Sequence, residues 1–290
     1  MLYSSGDDWR AATHKRVLFF GMSGLGKTYL SNLLRAGGNW FHYSIDYRIG
    51  TRYMGEFITD NAKAEAMRVP FLRDLLMTDS IYIGSNISFE NLSPVSTYLG
   101  KPGNTAKGGV PIEEYRRRQG QFRQAEIYAL LDTGYFIERA ERLYGYPNFI
   151  CDTGGSICEW VDPDNPDDPV LKHLSEQCLL IWLQGTEDHA QELIRRFDKD
   201  PKPMAYQPEF LDDVWSRYLR ENNIQEDDVD PDTFVRWTYS QALAHRQPLY
   251  ARMAEQWGVT LPMSAAADIS DPARFDEAVA RAIDLKSAKA

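Results

Sequence analysis

Residues 21–28 read GMSGLGKT, and the six residues before them, KRVLFF (15–20), end in an apolar run of strand type. The eight residues satisfy the spacing G-x-x-x-x-G-K-[ST] of a phosphate-binding loop. Gly21, Gly24 and Gly26 let the backbone adopt positive φ and bring its N–H groups against an anion where a Cβ would obstruct. Lys27 supplies a mobile positive charge for the β- and γ-phosphates of ATP. The Thr28 hydroxyl suits Mg²⁺, and the N-terminus of the helix that follows faces the anion. Leu25 and Tyr29 complete the expected nucleotide-binding stretch. Downstream, YLSNLL (29–34) has helical apolar spacing, so strand, loop and helix follow in the order the motif requires.

Composition narrows the class. The chain has 290 residues, 43% hydrophobic and 26% charged, which is ordinary for a globular protein with a large core. A formal net charge of −10 argues against a general nucleic-acid binder, whose surface needs clustered Lys and Arg. The only local basic cluster is Arg116–Arg118, of a kind usually found on a solvated helical face. Three cysteines, Cys151, Cys158 and Cys178, form neither a disulfide framework nor a zinc spacing, and the five histidines show no ligand spacing. The N-terminus lacks an apolar stretch of signal-peptide length and no segment reads as a membrane span. A cytoplasmic location is therefore expected.

Five short apolar segments alternate with helical patterns: Val17–Phe20, His42–Ile45, Asn148–Asp152, Leu179–Gln184 and Val259–Leu261. Such alternation predicts an α/β fold, a three-layer sandwich around a five-stranded parallel sheet. The helix after the loop is expected over 27–36, stopped by Gly37-Gly38. Further helices are expected over Glu187–Phe197 and after Ser270-Asp271-Pro272. Two stretches break the alternation within a single expected domain. Residues 54–112 are too long for a simple connection and are expected as a helical insertion on the substrate side. Residues 199–233, with proline-rich and acidic ends around an aromatic-rich helix (211–219), are expected as a lid. The aromatic residues at 215–218 and 237–239 are expected to pack the lid and last helices, or less simply to stack on a substrate ring.

Four further segments, in order after the loop, make the chain resemble the shikimate kinase family and its nucleoside-monophosphate-kinase-like relatives. The strand HYSID ends in Asp46; Gly120-Gln121-Phe122-Arg123-Gln124-Ala125-Glu126 approximates the family's G-x-x-F-R-x-x-E. Thr153-Gly154-Gly155-Ser156 is similar to a glycine triplet after the third strand. Arg246-Gln247-Pro248-Leu249-Tyr250 through Ala254 matches R-x-P-x-Y-x-x-x-A. The resemblance covers roughly residues 15–50, 113–205 and 240–285. It implies a kinase that uses ATP and Mg²⁺, with Asp46 as the acceptor-side base. Arg123 and Arg246 would grip an anionic or hydroxyl-rich small molecule, Gly154 and Gly155 would press their amides against it, and Arg196 would lie near the adenine or the lid.

The chemistry supports these residue types, because phosphoryl transfer asks a protein mainly to align donor and acceptor and to offset charge. A carboxylate can orient the attacking hydroxyl, and an arginine fork suits carboxylate or phosphate. The chain also departs from the family. Ser44 stands where an acidic residue near magnesium is common, leaving Thr28 and Asp152 as the metal-side residues. Lys202-Pro203 replaces the lid arginine-proline, and Ser156 the last glycine of the triplet, so shikimate itself is not the expected acceptor. Alternatives stay open at several positions. Asp46 could cap a turn, Arg123 could pair with Glu126 or Glu113, Arg246 could sit in a structural ion pair, Asp152 could cap a loop, and Lys202 could be simply solvated. An ATPase or regulatory module with a diverged acceptor site is the alternative function, and a nucleoside or nucleotide the alternative acceptor.

Overall fold

The computed structural model describes residues 2–288. Along the chain, α1 (Gly6–Ala11) precedes β1 (Arg16–Phe20), and α2 (Lys27–Ala36) leads to β2 (Trp40–Ser44). A long excursion follows, with α3 (Ile45–Arg48), a π-helical turn over 49–53, α4 (Gly55–Ala66), α5 (Pro70–Met77), α6 (Ser93–Leu99) and α7 (Ile112–Leu131). The chain then runs through α8 (Thr133–Tyr144), β3 (Asn148–Asp152), α9 (Pro169–Gln177), β4 (Leu179–Gln184) and α10 (Glu187–Lys199). After α11 (Pro208–Asn222) come α12 (Pro231–Trp257), β5 (Gly258–Pro262), α13 (Met263–Ala266) and α14 (Pro272–Ser287).

All five strands are parallel, in the order β2-β3-β1-β4-β5. The sequence expectation of a five-stranded parallel α/β sheet is met. β1 and β4 lie inside the sheet and bury nearly every side chain, as strands covered on both faces must. The edge strands begin earlier than their apolar letters indicate: β2 starts at Trp40 and β5 at Gly258, because each borrows its register from an inner neighbour. β2 also ends sooner, since Ile45 already belongs to a helical turn.

The chain divides into two compact units. The first holds the sheet and comprises residues up to Ile45, Leu130–Asp200 and the chain from Arg236 onward. Its core is organised around Phe275 of α14, whose ring meets Trp9, Phe19 and Trp40 edge-on at centroid distances of 5.9–6.3 Å. Such pairs add to the burial of large aromatic surfaces. α14 begins as expected, with the Asp271 side chain accepting from the Arg274 amide and Pro272 in the first turn.

The second unit comprises Asp46–Ala129 and Pro201–Val235, so the expected insertion and lid belong to one compact body. Gln119 of α7 joins them: its Nε2 donates to the Met204 carbonyl at 2.9 Å and its Oε1 accepts from the Tyr206 amide at 2.9 Å. The Tyr115 hydroxyl donates to the same Met204 carbonyl. α11 buries Leu211, Val214, Trp215 and Tyr218, and the last two rings pack edge-on against Phe234. Polar letters at the ends of 199–233 thus bracket a helix with a full apolar face. The glycine-rich stretch 100–110 is pinned to the start of α12 by Lys101 and Asp232, 2.7 Å apart, and by the Asn104 amide on the Val229 carbonyl.

Candidate functional site

The loop between β1 and α2 has the backbone its letters require. Gly21, Gly24 and Gly26 take φ values of +129°, +87° and +83°, a region from which side chains are largely excluded. A Cβ on Gly24 would also stand 2.8 Å from Leu193 of α10, whereas one on Gly26 would meet no atom within 4 Å. Gly24 is therefore required by packing as well as by dihedral, and Gly26 leaves its side of the loop open. α2 starts from Gly26 with no side-chain cap and no acidic residue in its first turn. Its amides and dipole remain for an anion to satisfy.

Lys27 is buried, with its ammonium donating to the carbonyls of Gly21 and Met22 at 2.9 and 3.0 Å. The positive charge is held over the start of the loop. Leu25 is buried beside Gly185, and Tyr29, on the next turn, is solvent-exposed. The Thr28 hydroxyl donates to Oδ2 of Asp152 at 2.9 Å. Asp152 ends β3, buried and in register with Phe19 of β1 and Ser44 of β2. The parallel sheet thus delivers its carboxylate to the hydroxyl of the loop. His42, the first residue of HYSID and one to which the sequence assigns no chemistry, brings Nε2 to 3.7 Å from the same Oδ2.

A hard dication with oxygen ligands fits this pair, since Mg²⁺ is held by one or two protein oxygens together with phosphates and water. Substituting Asp152→Asn should leave binding of a non-hydrolysable ATP analogue in place while raising the Mg²⁺ half-saturation about tenfold or more, read by metal titration calorimetry.

The remaining motifs in the first unit converge on the same loop. Gly155 packs so closely that a Cβ there would lie 2.8 Å from Ser23 Oγ, and the Tyr250 hydroxyl donates to the Gly155 carbonyl. The tyrosine of R-x-P-x-Y therefore fixes the TGGS turn, and the turn abuts the phosphate loop. Gly154 and Gly155 are both buried there, with Thr153 Oγ1 donating to the Phe19 carbonyl at 2.9 Å. Arg246 is buried and pairs through Nε with Oε1 of Glu159 at 2.6 Å, and His245 Nε2 lies 3.6 Å from Oε2. Of the alternatives for Arg246, the structural ion pair is present. Its partner Glu159 carries no sequence signal beyond lying shortly after TGGS.

Burial raises the Glu159 carboxyl, but the attraction of Arg246 together with hydrogen bonds from His245 and Arg246 outweighs it and holds the group below its ordinary value. Burial opposes the Arg246 charge, which Glu159 overcomes, so the guanidinium is raised further still. Arg196 lies on the exposed face of α10 and pairs with Glu192 one turn away at 2.9 Å; Leu193 is the residue of that helix that reaches the loop. The three cysteines are buried and form no disulfide among the described residues, and burial pushes the Cys178 thiol up to about 12.

Asp46, Arg123 and Lys202 belong to the second unit. Asp46 is the second residue of α3, two positions beyond the end of β2. Arg123 is exposed on α7 and makes no ion pair among the described residues, so neither Glu126 nor Glu113 holds it. Lys202 is exposed. Among the described residues no helix is long and apolar enough to cross a membrane.

A five-stranded parallel sheet in this order, with a glycine loop of this backbone between its central strand and a helix, defines an α/β fold of P-loop type. No protein-family model matches the chain, and no curated protein does. Among solved structures the chain is similar to shikimate kinase from Bacteroides thetaiotaomicron, at 16% identity over 93% of this chain and 97% of that one, with a TM-score of 0.40.

Proposed function

We propose that the protein is a Mg²⁺-dependent kinase that transfers the γ-phosphoryl group of ATP to a small metabolite. The observation that carries it is the hydrogen bond from Thr28 to Asp152 beside the glycine loop, a hydroxyl and a carboxylate set where a nucleotide-bound dication is held. ATP supplies the transferable group, and Mg²⁺ offsets charge on its phosphate oxygens. Lys27 and the first-turn amides of α2 bind and orient the β- and γ-phosphates. Gly155 and Tyr250 hold the turn that backs the loop, keeping those donors in place. Asp46 orients the attacking hydroxyl and takes its proton, and Arg123, uncommitted among the described residues, grips the acceptor. Arg246 is engaged by Glu159, and a contact with the acceptor would come in addition to that ion pair.

The test pairs binding with turnover. A panel of acidic sugars, polyols and nucleosides is screened for thermal stabilisation in the presence of a non-hydrolysable ATP analogue, and each hit is assayed with ATP. Asp46→Asn should lower turnover with a hit about a hundredfold while leaving analogue binding intact. Unchanged turnover would remove Asp46 as the base. The second reading, an ATPase or regulatory module, is favoured by one observation, the engagement of Arg246 by Glu159. It requires slow hydrolysis of ATP and no metabolite that shifts the melting temperature.

A further inference from the structure

The second unit contains a cavity of about 450 Å³ bounded by α4, the extended segment 81–92 and α6. That volume is in the range of small-molecule sites. Its chemistry is uniform in one respect: no Asp, Glu, Lys, Arg or His lines it. The polar groups are neutral amides and hydroxyls, contributed among others by Asn61, Ser85, Asn86, Ser93 and Thr97, against an apolar floor that includes Ile58 and Tyr98.

Several of these groups are oriented from behind. Arg118 of α7 donates through Nη2 to Asn61 Oδ1 at 3.1 Å, through Nη1 to the Tyr98 carbonyl and through Nε to Glu114 Oε1. The Asn61 oxygen is thereby occupied and its NH₂ donors are left over. The guanidinium itself is engaged by three acceptors and stacks over the Tyr98 ring at 4.8 Å. Glu114 is held ionised by hydrogen bonds from Arg117 and Arg118, which lower its carboxyl to about 2, so this backing does not loosen at neutral pH. The Tyr98 hydroxyl is fixed on Gln121 Oε1 at 2.7 Å. The hydroxyls of Ser85, Ser93 and Thr97 and the Asn86 amide make no side-chain hydrogen bond among the described residues, leaving donors and acceptors around one concavity.

An anionic ligand would enter this cavity without a countercharge, and a purely apolar one would leave these groups unpaired, at a cost in either case. We propose that the cavity binds an uncharged, hydroxyl-bearing small molecule of sugar or nucleoside size. The assignment concerns the second unit and does not depend on phosphoryl transfer by the first.

The test is calorimetry on the full chain with two sets of neutral probes, D-ribose, D-glucose and myo-inositol on one side and adenosine and uridine on the other. Ribose 5-phosphate, gluconate and AMP serve as charged counterparts. At least one neutral probe should bind saturably, at least tenfold more tightly than its charged counterpart and with little dependence on salt. Which set responds distinguishes a free sugar or polyol from a nucleoside. Asn61→Ala should weaken that probe about tenfold, and Thr97→Val, an isosteric change on an exposed helical face, should weaken it without disturbing Arg118. An unchanged circular dichroism spectrum and denaturant midpoint verify that both variants are folded. The proposal is overturned if no neutral probe binds, if the charged counterpart binds as tightly, or if Thr97→Val and Asn61→Ala both leave the dissociation constant unchanged.

Discussion

Lys27→Ala is expected to lower ATP turnover about a thousandfold while the protein stays folded. The ammonium is buried and held by two loop carbonyls, so it is positioned before any phosphate arrives, and a preorganised charge aimed at a transferring group is worth more than a mobile one in water. Its alanine replacement leaves the buried Gly21 and Met22 carbonyls without that donor, at a cost of about 1–3 kcal/mol, within the stability of an ordinary domain. The measurement is steady-state turnover together with a urea melt. A variant that stays folded in the urea melt and turns over ATP within about tenfold of the parent would place the phosphate-side charge on another residue.

Glu159→Ala should destabilise the first unit by about 3–5 kcal/mol, because it removes the carboxylate that pairs with the buried Arg246 charge. A denaturant midpoint at constant slope reads the effect directly. The double substitution Glu159→Leu, Arg246→Met should recover much of the stability, since apolar replacement of a whole buried pair is often neutral. That recovery makes the double variant the clean probe of Arg246: a folded protein that still binds the ATP analogue but has lost its acceptor assigns Arg246 a contact beyond the ion pair. pH supplies an independent check. The Glu159 carboxyl lies below its ordinary value of 4.5 in the folded chain, so its contribution is complete above that value and is lost as pH falls through the folded one. The stability gap between the parent and Glu159→Gln should therefore be constant near neutrality and narrow on acidification below 4.5.

Much of the first unit is legible letter by letter. The strands over 148–152 and 179–184 and the helix over 27–36 have the expected bounds, since buried parallel strands are continuous apolar runs and the loop lysine opens its helix. The positive φ at three loop glycines follows from their spacing alone. Asp152 is legible as a strand-end acid, but its bond to Thr28 depends on β3 pairing beside β1, a contact 124 residues apart in sequence. Glu159 and His42 are not legible: a buried acid on a short 3-10 turn and a histidine inside a strand have no local signature. Along the sequence the second unit reads as two unrelated interruptions. Their union rests on Gln119 and Tyr115 bonding the Met204–Tyr206 backbone and on Lys101 pairing with Asp232, contacts between segments that flank different strands, which no window of sequence contains.

Taken by itself, the sequence determined the phosphate loop, the parallel α/β sheet and the order of the motifs, because glycine conformational freedom, apolar continuity and helix signals act over a few residues. Tertiary structure alone decided which motifs touch. It set Tyr250 and Gly155 against the loop, gave Arg246 a buried partner, gathered the insertion and the 201–235 segment into one unit, and left a cavity of neutral polar groups inside it. Those outcomes depend on burial and on long-range pairing, and both are properties of the folded chain rather than of any stretch within it.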